Sequence, residues 1–303
     1  MGYHLFREPV LHKPVMIACW PGIGNIGLLA VDALRDQVKA EEIGEIEPWD
    51  YFYPKKVVIK AGVLEDMQLP SSKFYYQRIG GEDVLFFIGE EQPGESGRMY
   101  AEGVKAYQIA NLVLDVAEKF GCYRVYTSGA AVALIHHEMR PRVWIAGGSE
   151  KLNKTVRRFP NTVLMSEIEG KGNQGSITGL NGLLLGIAKK RGFETVSLMG
   201  EIPDYLSRAP FPYHRAAKSV LEVLSGILNI TLDCRALDEM DSRMQEVING
   251  IYEKFPPDVK EKIELRRSAL QARPEIITDE DERWIKEHID DLFRRGDRNE
   301  RSS

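Results

Sequence analysis

The sequence predicts an α/β protein: a three-layer sandwich with a mixed, mostly parallel sheet between two layers of helices, followed by a C-terminal α-helical extension. Three observations favour this class. Short, nearly continuous apolar runs are typical of buried parallel strands. Glycine-rich loops and amphipathic segments alternate with these runs, as expected for strands covered by helices. From Arg235 onward glycine becomes rare and charge increases, so the last segments read as helices outside the sheet.

The composition is that of an ordinary globular protein. The chain has 303 residues, of which 43% are hydrophobic and 28% are charged, which is enough for a sizeable core. The formal net charge is −5, and basic residues are mixed among acidic ones, so no basic field favours nucleic acid. No apolar stretch approaches the roughly 20 residues of a membrane-spanning helix. We therefore expect a cytoplasmic protein that binds neither nucleic acid nor membrane.

The predicted elements follow one another from the N-terminus, after a lead-in at 1–13. Apolar runs predict strands at 14–20, 56–60, 84–88, 123–128, 142–146, 161–165 and 195–199, and the alternating run 73–78 predicts an antiparallel edge strand. Amphipathic patterns predict helices at 26–38, 99–120, 149–158, 183–191 and 213–228. The segment 40–54 is polar and contains prolines, so it predicts no buried strand.

The segment after residue 234 is predicted to be helical. Helices are expected at 236–255, 258–270 and 279–294, with prolines between them. Their apolar stripes must cover another surface. We therefore expect 1–234 to be the α/β domain and 235–295 to be an extension that contributes to oligomer packing or partner contacts, away from the glycine-rich loops. Residues 296–303 should be disordered.

The stretch 175–205 is the most informative part of the chain. It reads as a turn, a largely apolar helix, a buried strand and a loop, with Gly179, Asn181 and Gly182 at the turn and Glu201 in the loop. In open α/β sheets, ligands bind at the carboxyl ends of the strands. This unit is therefore expected to be part of the core and part of the functional site.

A second glycine-rich loop lies between the first predicted strand and the first predicted helix. Gly22, Gly24 and Gly27 match G-x-G-x-x-G, and Glu45 and Glu47 follow about 20 residues later, as in dinucleotide-binding proteins. However, the second strand of a nucleotide-binding unit is apolar, and the segment here is polar. A tight turn with close helix–strand packing and no cofactor is the favoured interpretation, and dinucleotide binding is the alternative.

Candidate catalytic residues are few. Glu90 and Glu201 could form an acid–base pair only if the fold brings them together; otherwise they accept backbone N–H bonds in tight loops. Ser128 lies in a TSGAA turn without the G-x-S-x-G pattern of an activated nucleophile. His136 and His137 are adjacent, which favours a structural pair over a metal site. The three cysteines lack metal-ligand spacing, and no metal is predicted. The ligand-binding candidates are Gly22, Gly24, Asn25, Gly27, Gln92, Gly129, Gly179, Asn181, Gly182 and Glu201.

Five segments in order resemble the PAC2 family, the family of eukaryotic proteasome assembly chaperone 2 and its archaeal and bacterial relatives. They are PGIGNIG after the first strand, VLFFIGEEQP, TSGAA, GSITGLNGLLLGIAKKRG, and LMGEIPDY followed by RAAKSVLEVLSGILNITLD, and they span 14–233. The resemblance implies a phosphorylase/hydrolase-like fold, similar to that of purine nucleoside phosphorylases, and homo-oligomers that are often trimers. The residues that it carries over are Gly22, Gly24, Gly27, Gln92, Pro93, Gly179, Asn181, Gly182, Gly200 and Glu201.

Two functions from different classes remain open. The resemblance implies a non-catalytic, oligomeric protein-binding scaffold or assembly chaperone, and the lack of a nucleophile–base set supports it. The alternative is an enzyme of small metabolites that uses a pocket formed by the glycine-rich loops. Chaperones of this kind that dock on proteasome rings often end in a hydrophobic residue, tyrosine and any residue. This sequence ends Arg301-Ser302-Ser303, so we expect no docking through these last residues.

Overall fold

The computed structural model describes residues 2–53, 57–65, 67–93, 103–168 and 175–271. In this part of the chain the strands, numbered in order, are β1 Tyr3–Leu5, β2 Val15–Cys19, β3 Glu41–Ile46, β4 Ile59–Lys60, β5 Val63–Leu64, β6 Ser72–Ile79, β7 Glu82–Gly89, β8 Arg124–Ala133, β9 Val143–Gly147, β10 Thr162–Leu164 and β11 Glu194–Pro203. The α-helices are α1 Ile26–Gln37, α2 Gly103–Lys119, α3 Glu150–Arg157, α4 Gly179–Lys190, α5 His214–Ile227, α6 Arg235–Tyr252 and α7 Pro257–Gln271.

The main sheet has nine strands in the order β1-β3-β6-β7-β2-β8-β11-β9-β10. The pairs β7–β2, β2–β8, β8–β11 and β9–β10 are parallel. The pairs β1–β3, β3–β6, β6–β7 and β11–β9 are antiparallel. The sheet is therefore mixed, as predicted, but it is not mostly parallel. One cause is the tight turn at Gly80 and Gly81, both with positive φ, because so short a connection can join only antiparallel strands.

Helices cover both faces of the main sheet, which gives the three predicted layers. Along β2, Val15, Ile17 and Cys19 enter the core beneath α1, α3 and α5, whereas Met16 and Ala18 enter the core beneath α2 and α4. A strand that is buried on both faces has no solvated positions for polar side chains. This is why β2 reads in the sequence as one continuous apolar run.

Strand β3 lies in the segment that the sequence predicts to be too polar for a buried strand. It buries Ile43 and Ile46 and exposes Glu41, so only part of it faces the core. In the sheet, β6 and β7 lie between β3 and β2. In a dinucleotide-binding unit, the two strands that the first helix connects are parallel neighbours. Here α1 connects β2 to β3, which are not neighbours, so this unit is absent from β2, α1 and β3.

Three other expectations about strands are wrong. The lead-in contains β1, which pairs with β3 and occupies the edge of the sheet. The run 73–78 is therefore not an edge: β6 lies inside the sheet, between β3 and β7. In the described part of the run 56–60, which begins at residue 57, only β4 is a strand, and it pairs with β5 in a separate two-stranded hairpin. Alternation within a strand shows which faces are solvated, and it does not show which strand lies next to it.

The predicted helices of the α/β region occur as α1 to α5 in the described part of the chain. They start or end within a few residues of the expected positions, as is usual for helix boundaries. Residues 99–102, the helix predicted at 279–294 and the tail predicted at 296–303 lie outside the described residues. No helix among the described residues is long and apolar enough to cross a membrane.

The first helix of the extension packs against the α/β region instead of projecting from it. Leu237 and Ile248 of α6 are buried in the same core as α1 and α5. Arg215 of α5 donates to Asp241 of α6, with 2.9 Å between Nε and Oδ2, and Lys218 pairs with Asp238 one turn further along. This helix therefore completes the core on one face of the sheet.

A buried histidine pair strengthens this attachment. His136 and His137 are 2% and 1% exposed, and their ring centroids are 4.1 Å apart. The Tyr205 hydroxyl accepts the backbone N–H of His137 and lies 2.8 Å from its Nδ1. Nε2 of His137 lies 3.0 Å from Oδ1 of Asn249 in α6. Because an amide oxygen only accepts, Nε2 carries the proton, and the neutral Nδ1 accepts the Tyr205 hydroxyl. Burial, and next the neighbouring His136, lower the pKa of His137.

We expect the attachment of α6 to weaken below a pH of about 6.5, the ordinary pKa of histidine. The folded protein keeps His137 neutral, whereas a released His137 binds a proton, so acid stabilises the released state. The stabilisation that neutral His137 gives is therefore complete above a pH of about 6.5 and is lost as the pH falls below that value. The measurement is the melting temperature at about pH 7.5 and pH 5.5 for the wild type and for His137→Gln, which cannot titrate. The variant should lose less stability on acidification.

The matched control is His12→Gln. His12 is exposed, and its contact with Asp83 runs through the backbone N–H, which the substitution keeps. This control should follow the wild type. Some acid sensitivity should persist in His137→Gln because burial also lowers the pKa of His214. The same loss of stability in His137→Gln and in the wild type would contradict the assignment.

Candidate functional site

A cavity of about 400 Å³ opens near the carboxyl ends of β2 and β8, beside the start of α4. Glycine, small and polar residues form much of its wall. Its lining is Gly22, Ile23, Gln92, Ser128, Gly129, Ala130, Ala131, Val132, Trp144, Met165, Gly175, Ser176, Ile177, Thr178, Asn181, Ser197 and Met199. This is the position at which parallel α/β sheets usually bind their ligands.

Four of the sequence-predicted site residues meet in this lining: Gly22, Gln92, Gly129 and Asn181. They come from two loops, the strand β8 and the helix α4, which are distant in the sequence, and the fold brings them together. The remaining candidates are not among the lining residues. These are Gly24, Asn25, Gly27, Gly179, Gly182, Glu90 and Glu201.

The two side-chain amides of the cavity connect the loop after β2 to the start of α4. Asn181 accepts the backbone N–H of Trp20 at 3.2 Å through Oδ1 and donates to the Trp20 carbonyl through Nδ2. Gln92 donates to the Pro21 carbonyl at 2.6 Å and accepts the N–H of Leu180 at 3.1 Å. The first turn of a helix has N–H groups without helical partners, and Gln92 supplies a partner to one of them. Both amides therefore hold the wall in place.

The G-x-G-x-x-G loop has a structural explanation. Gly24 has a φ of +60°, in the region that favours glycine. A methyl group on Gly27 would lie 2.5 Å from the carbonyl of Ser128, so only glycine lets α1 approach β8 so closely. This agrees with the interpretation of a tight turn with close helix–strand packing.

Glu201 is a buried structural carboxylate. It is 1% exposed, and Arg142 approaches it through both side chain and backbone. Oε1 accepts from Nε and Nη2 of Arg142 at 3.0 and 2.7 Å and from the Trp144 indole at 2.7 Å, while Oε2 accepts the Arg142 backbone N–H at 2.8 Å. Glu90 is exposed and accepts the N–H of Ser71 at 2.8 Å. Both carboxylates thus accept backbone N–H bonds, and neither lines the cavity.

The described lining offers binding groups without an activated nucleophile. It contains no charged side chain, no histidine and no cysteine. The Ser128 hydroxyl donates to the Leu198 carbonyl at 3.0 Å, so it has no base beside it among the lining residues. The neighbouring Cys19 is fully buried, and burial raises the pKa of its thiol to about 12. Among the described residues, no three His, Cys, Asp or Glu side chains gather as a metal site would require.

Several lining residues were missed by the sequence-based prediction. Ser197 could have been found, because it is the one polar side chain in the apolar core of its strand, VSLM. Nothing in the sequence around Trp144, Met165 and Met199 marks them as site residues, since large apolar residues are usual in strands and helix starts. Their place in the wall depends on the order of β11, β9 and β10 in the sheet.

Comparison with known proteins identifies the family. The model of the PAC2 family matches residues 16–251. The chain belongs to the PAC2 family. The match ends within α6 and so extends beyond residue 234, the expected end of the α/β domain. This agrees with the burial of Leu237 and Ile248 in the main core.

Relatives in archaea and bacteria share the sequence or the fold of this PAC2 protein. An uncharacterized protein of Methanocaldococcus jannaschii is 28% identical over 280 residues, which are 92% of this chain and 94% of the relative. The crystal structure of Pyrococcus furiosus PbaB, an archaeal proteasome activator, has a TM-score of 0.67 at 27% identity and covers 82% of this chain and 98% of its own. A PAC2 family protein of Streptomyces avermitilis has a TM-score of 0.61 at 22% identity, covering 82% and 99%.

We expect Glu201→Gln to lower the free energy of unfolding by roughly 3 kcal/mol, the scale for breaking a buried ion pair. Glutamine keeps the shape but removes the charge that Arg142 needs, and its amide hydrogens face donors. The matched control is Glu90→Gln, which keeps an acceptor at an exposed site and should change stability by less than about 1 kcal/mol. Urea denaturation measures both. Equal effects of the two substitutions would contradict the structural role of Glu201.

Proposed function

We propose that this PAC2 protein is a non-catalytic, oligomeric protein-binding scaffold that acts on the assembly or activation of proteasomes. One observation carries the proposal: the similarity to PbaB, an archaeal proteasome activator, which extends over 98% of that chain at 27% identity. A shared fold alone hosts many functions. Here the family membership and the sequence similarity cover the same long stretch of the chain.

The chemistry of the site supports binding over catalysis. The described lining of the cavity has no charged side chain, and the only serine considered as a nucleophile donates its hydroxyl to a backbone carbonyl. The carboxylates Glu90 and Glu201, proposed as an acid–base pair, bind backbone N–H groups elsewhere. We therefore favour the scaffold over the metabolite enzyme.

The hairpin of β4 and β5 offers a surface suited to a protein partner. Ile59 is 67% exposed, and its cross-strand neighbour Leu64 is 68% exposed. Val63, in the same hairpin, is 67% exposed. Exposed apolar patches of this kind mark interaction surfaces, and an isolated two-stranded hairpin is only marginally stable on its own. We include this hairpin in the contact with the partner.

The proposal extends to organisation. We propose a phosphorylase/hydrolase-like α/β domain at 1–234 and a helical extension at 235–295, in a homo-oligomer of three copies in the cytoplasm. The extension would contribute to contacts between copies or to the partner. Truncation after Asp233 would expose the core positions that α6 covers, so assembly state and solubility should both change. Light scattering of the full and truncated chains measures this.

The test of the function is association with the proteasome. The tagged full-length protein is added to purified proteasome core particle of its host, and co-elution and peptide hydrolysis are measured. Leu64→Asp should weaken binding about tenfold or more, the effect of losing a buried apolar anchor. Val10→Asp, at a residue that is 84% exposed in the loop between β1 and β2, is the matched control and should bind like the wild type.

Two results would overturn the proposal. One is the absence of any association with core particle by the wild type, together with turnover of nucleosides or phosphate esters by the purified protein. The other is binding that Leu64→Asp and Val10→Asp leave equally intact, which would exclude the hairpin from the contact. Both variants change exposed side chains, so their melting temperatures should stay close to that of the wild type.

A further inference from the structure

Strand β8 continues past the end of its neighbour β2. The β2–β8 pairing runs from Val15 and Arg124 to Ala18 and Thr127 and then stops. The pairing of β8 with β11 on its other side continues as far as Ala133. Beyond Thr127, β8 therefore has a strand neighbour on one side only among the described residues. We call the other side, along Ser128–Val132, the open edge of β8.

The backbone groups of the open edge alternate in direction. The Ser128 carbonyl accepts the thiol of Cys19, the last residue of β2, at 3.6 Å, so it points to the side on which β2 ends. Successive residues of a strand direct their N–H and C=O groups to opposite sides. Ala130 and Val132 therefore direct theirs to the same side as Ser128. Ala130 is partly exposed and Val132 is exposed, so the backbone groups on this side can be reached by another chain.

The cavity lies along this edge. All five residues from Ser128 to Val132 line it, and Gly129 and Ala130 are partly exposed. A methyl group on Gly129 would meet no heavy atom within 4 Å. The volume of about 400 Å³ lies within the range of small-ligand sites. Next to Ser128 the edge is occupied by Cys19 and Gly27, but along Gly129–Val132 there is room for a short stretch of extended chain.

The residues that line the cavity determine which ligand charge it can accept. The polar side chains of the described wall are Ser, Thr, Asn and Gln, and its apolar ones include Trp144, Met165 and Met199. A Lys or Asp side chain would lose its hydration here and find no opposite charge, which is costly. The amides of Asn181 and Gln92 are already bonded to backbone groups. An uncharged occupant is therefore favoured.

We propose that the cavity receives an extended, uncharged peptide segment of a protein partner, which adds to the open edge of β8 as a further strand. An extended peptide offers N–H and C=O groups with a repeat of two residues, matching those of Ala130 and Val132; the Ser128 carbonyl already accepts the Cys19 thiol. A neutral small molecule would not match this repeat. The inference rests on the proposed function, because it names how a partner segment enters the site of a binding protein.

The experiment uses the full-length chain and an array of octapeptides blocked at both ends. The array contains uncharged sequences with alternating Val, Thr, Ser and Ala, together with matched sequences that contain Lys or Glu. Uncharged peptides should bind, and NMR amide exchange should slow at Ala130 and Val132. Gly129→Leu, which fills the cavity, should weaken binding about tenfold or more. Gly186→Leu is the matched control, because a side chain there also meets no heavy atom within 4 Å and Gly186 lies on an exposed face of α4.

Gly129→Ala gives a graded second variant, which should fold even if leucine disturbs the strand, and it should weaken binding less. The proposal is overturned if no peptide binds, if Gly129→Leu and Gly129→Ala bind as tightly as Gly186→Leu, or if the amides of Ala130 and Val132 gain no protection. It is also overturned if nucleosides bind in the cavity and peptides do not. Association with core particle is a separate measurement that tests the proposed function. If the wild type associates with core particle but binds no peptide, the proposed function stands and this inference is wrong.

Discussion

The parallel ladder between β8 and β11 is the interaction on which the rest of the fold depends. Its pairs run without a break from Arg124 and Glu194 to Ala133 and Pro203. On its two sides β2 and β9 join the sheet in opposite orientations, so the ladder connects the half containing β6 and β7 to the half containing β9 and β10. Because β2 stops before the ladder does, the sheet leaves a gap at this point, and the cavity occupies it.

The same ladder carries the buried carboxylate of Glu201. A buried carboxylate is tolerated only when charges and hydrogen bonds replace its lost hydration. Glu201 finds both in Arg142, which immediately precedes β9, and in the indole of Trp144 on β9. The register that places these groups beside Glu201 is therefore favoured over registers that would leave it unpaired. The Trp144 indole also lines the cavity. Because Glu201 holds this indole by a hydrogen bond, its ion pair with Arg142 helps to keep the cavity wall in place.

The architecture joins a rigid framework to binding surfaces of different kinds. The cavity has a wall of short side chains and backbone groups, which suits recognition of backbone more than of charge. The hairpin of β4 and β5 presents exposed apolar side chains instead. The helix α6 packs on the face of the sheet that α1 and α5 cover, where its buried Leu237 and Ile248 and its contact with His137 attach it to the core. Such a division agrees with the proposed role as a protein-binding scaffold.

The sequence by itself determined the class of the fold, most of its strands and helices, the family, and four residues of the cavity wall. These rest on local patterns, because continuous apolar runs, amphipathic periods and glycine loops need no distant partner to be recognised. Tertiary structure alone decided the neighbours of β3 and β6, because an alternating or apolar pattern does not encode which strand lies beside it. It also decided that Glu201 is structural, since Arg142 lies 59 residues earlier in the chain. Only the folded sheet brings the carboxylate and its partners together and so separates it from the cavity.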